Sequence, residues 1–205
     1  MASPEHVQKK LRGIVEATTQ HTNFRPTVKG QGRPTFRSKV VRDLAAILDL
    51  NRSVVSWSST PPSLSVGGRD HVPDLRMQDS DGGWWMLDAF DRKLPADGVV
   101  IAKAADQLSH RYRVVDRSEI YDGFRLRNAV DLLRYAGHSV PLGDRVRLLA
   151  ILDENGSLSF ADCLQVLRET QPVAALASLI LQGLVEIELD DALIGPETMV
   201  RRIRA

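Results

Sequence analysis

The sequence predicts an α/β fold, in which a mixed β-sheet is flanked by helices and followed by a small C-terminal domain of three helices and a hairpin. Segments whose apolar residues recur with a helical period alternate with short segments that suit strands, which predicts helices packed on a sheet. A turn at 79–83 lies between two short apolar runs and predicts a hairpin within that sheet. From about residue 140 the pattern changes to successive helices and an alternating strand, which predicts the second domain.

The composition is that of an ordinary globular protein. The chain has 205 residues, of which 43% are hydrophobic and 26% charged, so it is long enough to bury a stable core. The single cysteine, Cys163, excludes an internal disulfide framework and favours a reducing compartment. No apolar run approaches the roughly 20 residues that cross a bilayer, and the first residues lack the apolar region of a signal peptide. We therefore expect a cytoplasmic protein of bacterial type, in a location compatible with the nucleoid.

Charge is unevenly distributed along the chain. Residues 1–43 carry nine lysines and arginines against three acids, a net charge of +6, whereas residues 44–205 carry a net charge of −5. Such asymmetry is typical of an arm that faces a polyanion, and a solvated leader is the alternative interpretation. The candidate DNA-binding residues in this region are Arg25, Lys29, Arg33, Arg37, Lys39 and Arg42.

Residues 1–34 are predicted to form a basic N-terminal helix and a linker. Within 4–20, apolar residues recur from Val7 to Val15 at i, i+4, i+7 and i+8, which indicates one apolar helix face. Residues 21–35 contain two prolines and two glycines without an apolar period, which indicates a loop.

Residues 35–138 are predicted to form the sheet domain. The pattern predicts, in order, a helix over Ser38–Leu50, a strand at 54–57 that Leu64 and Val66 continue weakly, the hairpin, a helix over 96–109, a strand at 112–115, a short helix capped by Ser118, and a helix over 124–136. A turn is expected at Gly67 and Gly68.

Residues 139–205 are predicted to form a winged-helix-like domain. The pattern predicts helices over 145–153, 159–169 and 171–181, a half-buried strand over 184–189 and a partner strand over 199–203. The third helix has no basic residue, although a helix that reads the major groove needs such side chains at the base edges. Acids follow it at Glu186, Glu188, Asp190 and Asp191. This domain is therefore expected to repel phosphate and to bind a protein partner.

Two aspartates form the candidate catalytic pair. Asp74 and Asp88 stand 14 residues apart with the hairpin turn between them, so antiparallel pairing would place them side by side. Two carboxylates at the ends of adjacent strands can hold Mg²⁺ or Mn²⁺, which polarises a scissile phosphate and lowers the pKa of an attacking water. The alternative is a turn aspartate and an exposed strand aspartate without a chemical role. His71 lies three residues before Asp74 and is expected to be structural.

The order of motifs around this pair resembles TnsA-type transposon endonucleases, which belong to the PD-(D/E)XK nuclease superfamily. The resemblance covers about four-fifths of the chain, from Ser38 to Ala205. The segments that carry it are Ser38-Lys39-Val40-Val41, Thr60-Pro61, Pro73-Asp74, Asp88-Ala89-Phe90, Tyr112 to Ile120, Asn128 to Leu133, and Glu188 to Val200. It implies a restriction-endonuclease-like sheet, a metal-dependent DNA endonuclease site, and a C-terminal winged helix that contacts a partner subunit.

Two positions depart from the pattern of that family. Val41 stands where the family has a glutamate in the first helix, and Phe90 stands where it has a lysine two residues after the second carboxylate. Lys93 and Lys103 are close enough in sequence to act for the missing lysine, and Lys93 is the third catalytic candidate. Asp43 could replace the glutamate, but two residues along a helix turn a side chain by roughly 200°. The resemblance therefore implies an inactive or weakened site, without a cofactor if inactive and with Mg²⁺ or Mn²⁺ if active.

Three functions are consistent with the sequence. The one we favour is a non-catalytic nuclease-fold protein that binds DNA through residues 1–43 and a partner through residues 139–205, in an assembly that processes mobile-element or other DNA. The second is an active Mg²⁺-dependent endonuclease with a rearranged site. The third is a protein-interaction or regulatory module that does not contact DNA.

Overall fold

The computed structural model describes residues 26–204, so the expected helix over 4–20 and the candidate Arg25 lie outside the described residues. The helices within this range are α1 (Lys39–Leu50), α2 (Gly98–Asp106), α3 (Arg117–Tyr121), α4 (Arg125–Leu133), α5 (Leu142–Asn155), α6 (Phe160–Val166) and α7 (Pro172–Leu181). The strands are β1 (Val54–Ser58), β2 (Leu64–Val66), β3 (Arg69–His71), β4 (Leu75–Asp79), β5 (Trp84–Ala89), β6 (Arg111–Val115), β7 (Ser157–Ser159), β8 (Val185–Ile187) and β9 (Met199–Arg202). None of these helices is long and apolar enough to cross a membrane.

The sheet that positions the candidate site has four strands in the order β1-β4-β5-β6. β4 runs antiparallel to both β1 and β5, whereas β6 runs parallel to β5. On one face, Leu44 of α1 shares a buried apolar cluster with Leu75 and Leu87. On the other face, Ile101 of α2 shares a buried cluster with Met86. The predicted mixed sheet flanked by helices is therefore confirmed.

The short hairpin β2–β3 differs from the expectation that Leu64 and Val66 continue β1. Gly67 and Gly68 have φ values of +57° and +77°, which close a two-residue turn, and β2 therefore pairs antiparallel with β3. Leu64 and Val66 are buried in the α2-side cluster, so the hairpin covers that face of the sheet. The last residue of β3 is His71, which the hairpin brings to the candidate site.

Capping residues define the start of α1 and α3. Ser38 Oγ accepts a hydrogen bond from the backbone N–H of Val41 at 3.3 Å, so α1 begins where the sequence predicts. α3 is capped by Asp116 and not by Ser118, the cap that the sequence predicts, because Asp116 and Glu119 form a capping box. The backbone N–H of Asp116 donates to Glu119 Oε1 at 3.0 Å, which satisfies a donor that the helix itself leaves free.

The C-terminal part combines three helices with a three-stranded sheet. The strand order is β7-β9-β8, and both pairings are antiparallel. The predicted pairing of the strands after α7 is confirmed as β8 with β9, whereas β7 is an additional strand that the sequence pattern missed. Ser157–Ser159 contains a single apolar residue, so it has no alternation that would reveal a strand. A second buried apolar cluster, which includes Leu148, Leu176 and Val200, lies between these helices and the sheet.

α7 is buried over most of its length. Residues 174–179 are all buried, and Leu176 belongs to the C-terminal cluster. On another side of the helix, Ala177 shares a cluster with Leu132 of α4 and with Leu189. α7 therefore packs both within its own part of the chain and against the helix that follows the large sheet.

Asn128 fastens α4 to the segment after β8. Asn128 is only 1% exposed. Its Nδ2 donates to the carbonyl oxygens of Leu189 and Ala192, each at 2.8 Å, and its Oδ1 accepts from the backbone N–H of Ile194 at 3.0 Å. These three hydrogen bonds satisfy two carbonyl groups and one N–H group of the segment after β8, and they hold that segment against α4.

Candidate functional site

The hairpin β4–β5 brings Asp74 and Asp88 together. Asp74 comes directly before β4 and Asp88 lies near the end of β5, where the antiparallel register pairs Leu75 with Leu87. The backbone N–H of Asp74 donates to Asp88 Oδ1 at 3.0 Å. Both carboxylates are fully buried, with side-chain exposures of 0%. Two buried negative charges this close require compensation, since each would otherwise lose its hydration without replacement.

Asp74 is compensated by two arginines. Arg37, just before α1, forms a bidentate ion pair with it, in which Nε donates to Oδ1 at 2.8 Å and Nη2 donates to Oδ2 at 3.0 Å. Arg92 Nη1 donates to Oδ1 at 2.5 Å, and the backbone N–H of Ala89 donates to Oδ2 at 3.0 Å. A carboxylate has about four lone-pair positions, and all those of Asp74 therefore have a donor.

Asp88 is compensated from the neighbouring strands. His71 Nε2 lies 2.7 Å from Oδ2, and the Tyr112 hydroxyl donates to the same oxygen at 2.8 Å. Oδ1 accepts from the backbone N–H of Asp74, and Arg92 Nη1 lies 3.3 Å from it. The donors come from β3, from the residue before β4, from β6 and from the turn after β5, so four separate segments must fold together to satisfy one side chain.

Asp91 extends this network to the surface. Arg37 Nη2 donates to Asp91 Oδ1 at 2.7 Å while it also binds Asp74, so one guanidinium joins two carboxylates. We call the whole network the acid–arginine cluster, and its members are Arg37, His71, Asp74, Asp88, Asp91, Arg92 and Tyr112. Charge-assisted bonds of this kind are roughly twice as strong as neutral ones, so the cluster is expected to be rigid.

The protonation states follow from these contacts. Burial of Asp74 raises the pKa of its carboxyl, but hydrogen bonds from Arg37 and Ala89 and the charges of Arg92 and Arg37 outweigh that effect and hold the pKa below its ordinary value. Burial, and then the negative charge of Asp88, raise the pKa of Tyr112. Asp74 is therefore ionised and Tyr112 protonated at neutral pH, which suits their roles as acceptor and donor.

Acid should remove the contribution of Asp74 to stability. Because its pKa is lower in the folded chain than in the unfolded chain, the contribution is complete above the unfolded value of about 3.9 and is lost as the pH falls through the folded value. Asp74→Asn has no proton to bind there. Its unfolding free energy should therefore fall less steeply with acid, by up to one proton or about 1.4 kcal/mol per pH unit. Urea unfolding across the acid range measures this, and an unchanged slope would contradict it.

The acid–arginine cluster does not fit the divalent ion that the family resemblance implies. Mg²⁺ demands a near-octahedral set of oxygen ligands, whereas every lone pair of Asp74 already accepts a hydrogen bond. The positive guanidinium of Arg92 also lies between Asp74 and Asp88. Within residues 26–204, no group of three or more His, Cys, Asp or Glu side chains is arranged to hold a metal ion.

The other candidate catalytic positions lie outside this cluster. Val41 is buried in the α1-side apolar cluster. Phe90 packs edge-on against Tyr121, with ring centroids 6.2 Å apart. Asp43 accepts from the Tyr121 hydroxyl at 3.2 Å and pairs with Lys39 at 3.5 Å. Lys93 is exposed, and its neighbour Arg92 is the basic residue that binds the aspartates.

The candidate DNA-binding residues differ in how accessible their side chains are. Arg37 and Lys29 are engaged in internal contacts, since Arg37 binds the aspartates and Lys29 Nζ donates to the carbonyl oxygen of Asn51 at 2.6 Å. Arg33 is exposed, and Lys39 has a side chain that is 70% exposed. Arg42 is half-buried, and Arg25 lies outside the described residues. Of this set, Arg33 and Lys39 are the described side chains most accessible to a phosphate backbone.

No protein-family model matches the chain, and no curated protein matches it either. The resemblance to TnsA-type endonucleases therefore rests on the order of the sequence motifs. The function has to be inferred from the chemistry of the acid–arginine cluster and from the surfaces around it.

Proposed function

We propose that this protein is a DNA-associated, non-catalytic nuclease-fold subunit that joins DNA to a protein partner in a mobile-element or other DNA-processing assembly. The observation that carries the non-catalytic part is the position of Arg92, whose guanidinium lies within 3.3 Å of both Asp74 and Asp88. Metal-dependent phosphodiester cleavage needs those carboxylates as ligands, because the metal activates the water and stabilises the charge that develops on phosphorus. Because arginines occupy the acceptor positions of these carboxylates, we propose that the protein binds DNA without cleaving it.

The arrangement of strands and helices is compatible with the nuclease-like domain that we propose. The mixed sheet of β1, β4, β5 and β6, with α1 on one face and α2 on the other, suits a restriction-endonuclease-like domain. The pair Asp74 and Asp88 falls at the ends of adjacent strands, where that plan has its catalytic acids. The three helices and the sheet β7-β9-β8 likewise suit a winged helix.

The C-terminal part is proposed to bind protein rather than DNA. Residues 174–179 of α7 are buried, so this helix is not free to enter a major groove. Glu186, Glu188 and Asp191 follow it and would repel phosphate. A partner subunit, which does not carry a phosphate backbone, is the occupant that this surface favours.

DNA is proposed to contact the basic residues that precede α1 and begin it. Arg33 and Lys39 are the exposed members, and Arg25 precedes the described residues. The internal bonds of Lys29 and Arg37 hold this segment against α1 and the sheet, so the exposed charges are presented from a fixed position. These two cations, together with the basic side chains among residues 1–25, would give moderate, sequence-independent affinity.

The experiment is a salt titration of duplex DNA binding by the full chain and by Arg33→Ala/Lys39→Ala. The wild type should lose affinity steeply with salt, and the double variant should have a slope of log affinity against log salt that is shallower by about 2, one unit for each lost phosphate contact. Arg201→Ala/Arg204→Ala is the matched control, because both arginines are exposed near the C-terminal end. Absent binding would favour a protein-interaction module without DNA contact, and binding that does not change with salt would contradict the proposed phosphate contacts.

The same preparations separate a binding subunit from an active endonuclease. With Mg²⁺ or Mn²⁺, the wild type should leave supercoiled plasmid intact at concentrations that saturate DNA binding. Metal-dependent nicking that Asp74→Ala abolishes would reject the non-catalytic proposal and leave the DNA-binding proposal standing.

A further inference from the structure

One nitrogen atom, Nη1 of Arg92, lies between the two buried aspartates. It is 2.5 Å from Oδ1 of Asp74 and 3.3 Å from Oδ1 of Asp88. The two carboxylates therefore direct one oxygen each towards the same point. Their other oxygens face elsewhere, Oδ2 of Asp74 towards Arg37 and Ala89, and Oδ2 of Asp88 towards His71 and Tyr112.

Removal of Arg92 alone would leave the rest of the acid–arginine cluster in place. Arg37 would still hold Asp74 with both arms, and the backbone N–H of Asp74 would still bind Asp88. One acceptor position would open on each Oδ1, and both would face the vacated point. Three carboxylates would then share one guanidinium, and a divalent cation would reduce this excess of negative charge.

Of the side chains of Arg92, Asp74 and Asp88, only that of Arg92 reaches the surface. The Arg92 side chain is 20% exposed, whereas both carboxylates have no exposure. Truncation of the arginine would therefore open a passage from the surface to the two converging oxygens, and water could complete the coordination of a small cation, as Mg²⁺ and Mn²⁺ require.

We propose that Arg92 is a built-in replacement for a divalent cation: its guanidinium occupies the point on which Asp74 and Asp88 converge, and its removal converts the cluster into a Mn²⁺ site. The wild-type chain is then independent of metal for its stability. This inference rests on the geometry of the cluster and does not depend on DNA binding.

The test uses the full chain and compares the wild type with Arg92→Ala, Arg92→Lys and Arg92→Ala/Asp88→Asn. Mn²⁺ binding is followed by electron paramagnetic resonance of the free ion, and thermal unfolding is followed in EDTA and in Mn²⁺. Arg92→Ala should bind one equivalent of Mn²⁺ at least about tenfold more tightly than the wild type, and its melting temperature should rise on metal addition. Arg92→Lys keeps a cation at the point, and the double variant loses a ligand, so neither should respond.

Two further arms keep the proposal testable if Arg92→Ala unfolds. Arg92→Gln keeps part of the side-chain bulk but lacks the charge, and its amide oxygen can serve as a neutral metal ligand, so it should also gain Mn²⁺ binding. Arg69→Ala removes an exposed arginine from β3 and should behave as the wild type. If Arg92→Gln binds Mn²⁺ no better than the wild type, or if the wild type binds an equivalent that Asp88→Asn abolishes, the proposal is overturned.

Discussion

Asp88→Ala should lower the free energy of unfolding by about 3–5 kcal/mol, the range measured when one partner of a buried ion pair is removed. The carboxylate has no exposure, and its loss would leave the Tyr112 hydroxyl, the His71 ring nitrogen and the backbone N–H of Asp74 without their acceptor. Arg92 would lose one of its two anions at the same time. Urea unfolding followed by circular dichroism at neutral pH measures the effect.

Asp70→Ala is the matched control for that variant. Asp70 is an exposed aspartate on β3, next to His71, and its removal should change the unfolding free energy by less than about 0.5 kcal/mol. A loss below about 1 kcal/mol for Asp88→Ala would mean that the cluster is only a surface-like ion pair. Such a result would contradict the conclusion that the buried ion pairs of the acid–arginine cluster stabilise the fold.

Asn128→Ala should have the second-largest effect, a loss of about 3 kcal/mol. The change leaves the carbonyl oxygens of Leu189 and Ala192 and the backbone N–H of Ile194 without partners at a position that is 1% exposed. Each buried group left unsatisfied costs about 1–3 kcal/mol. The amide of Ile194 should also exchange with solvent faster, because its acceptor is gone, and hydrogen exchange measures this directly.

Asn155→Ala is the control for this prediction. Asn155 is exposed at the end of α5, and its side chain donates a single bond, to the carbonyl oxygen of Ile151 at 2.9 Å. Its replacement should cost less than about 1 kcal/mol and leave exchange at Ile194 unchanged. If both asparagine variants lose the same stability, Asn128 does not fasten α4 to the C-terminal segment as the hydrogen bonds indicate.

The hairpin was within reach of the sequence because the information is local. Five turn residues at 79–83 separate two short apolar runs, which predicts a hairpin. Antiparallel pairing across that turn then brings the residue before β4 beside the end of β5. The positions of Asp74 and Asp88 followed from that geometry. The start of α1 was local in the same way, since Ser38 caps it through its own hydroxyl.

The arginines of the cluster were beyond sequence reasoning because their contacts are distant or irregular. The charge of Arg37 predicts a DNA contact, and nothing in the sequence indicates that it also binds Asp74. The two residues lie 37 positions apart, and their contact exists only because α1 packs on the sheet. Arg92 lies in a turn after β5, where no helical or strand period tells which of Arg92 and Lys93 faces inward. The family resemblance therefore points to Lys93, whereas Arg92, the residue before it, contacts both aspartates.

The cluster shows how two adjacent buried aspartates can be held together by arginines. Two buried carboxylates need positive charge in any case, and a metal ion or an arginine can supply it. In this chain Arg92 contacts both carboxylates and Arg37 binds Asp74, so arginines supply that charge. Phe90, two residues after Asp88, packs against Tyr121 and takes no part in the cluster.

The most direct measurement of the central claim is an anomalous-scattering map from crystals of the wild-type chain soaked in Mn²⁺. We predict no manganese peak between Asp74 and Asp88, with Arg92 Nη1 in contact with both Oδ1 atoms. A manganese peak coordinated by the two carboxylates, with the guanidinium of Arg92 displaced, would contradict the claim that arginine has taken the place of the metal.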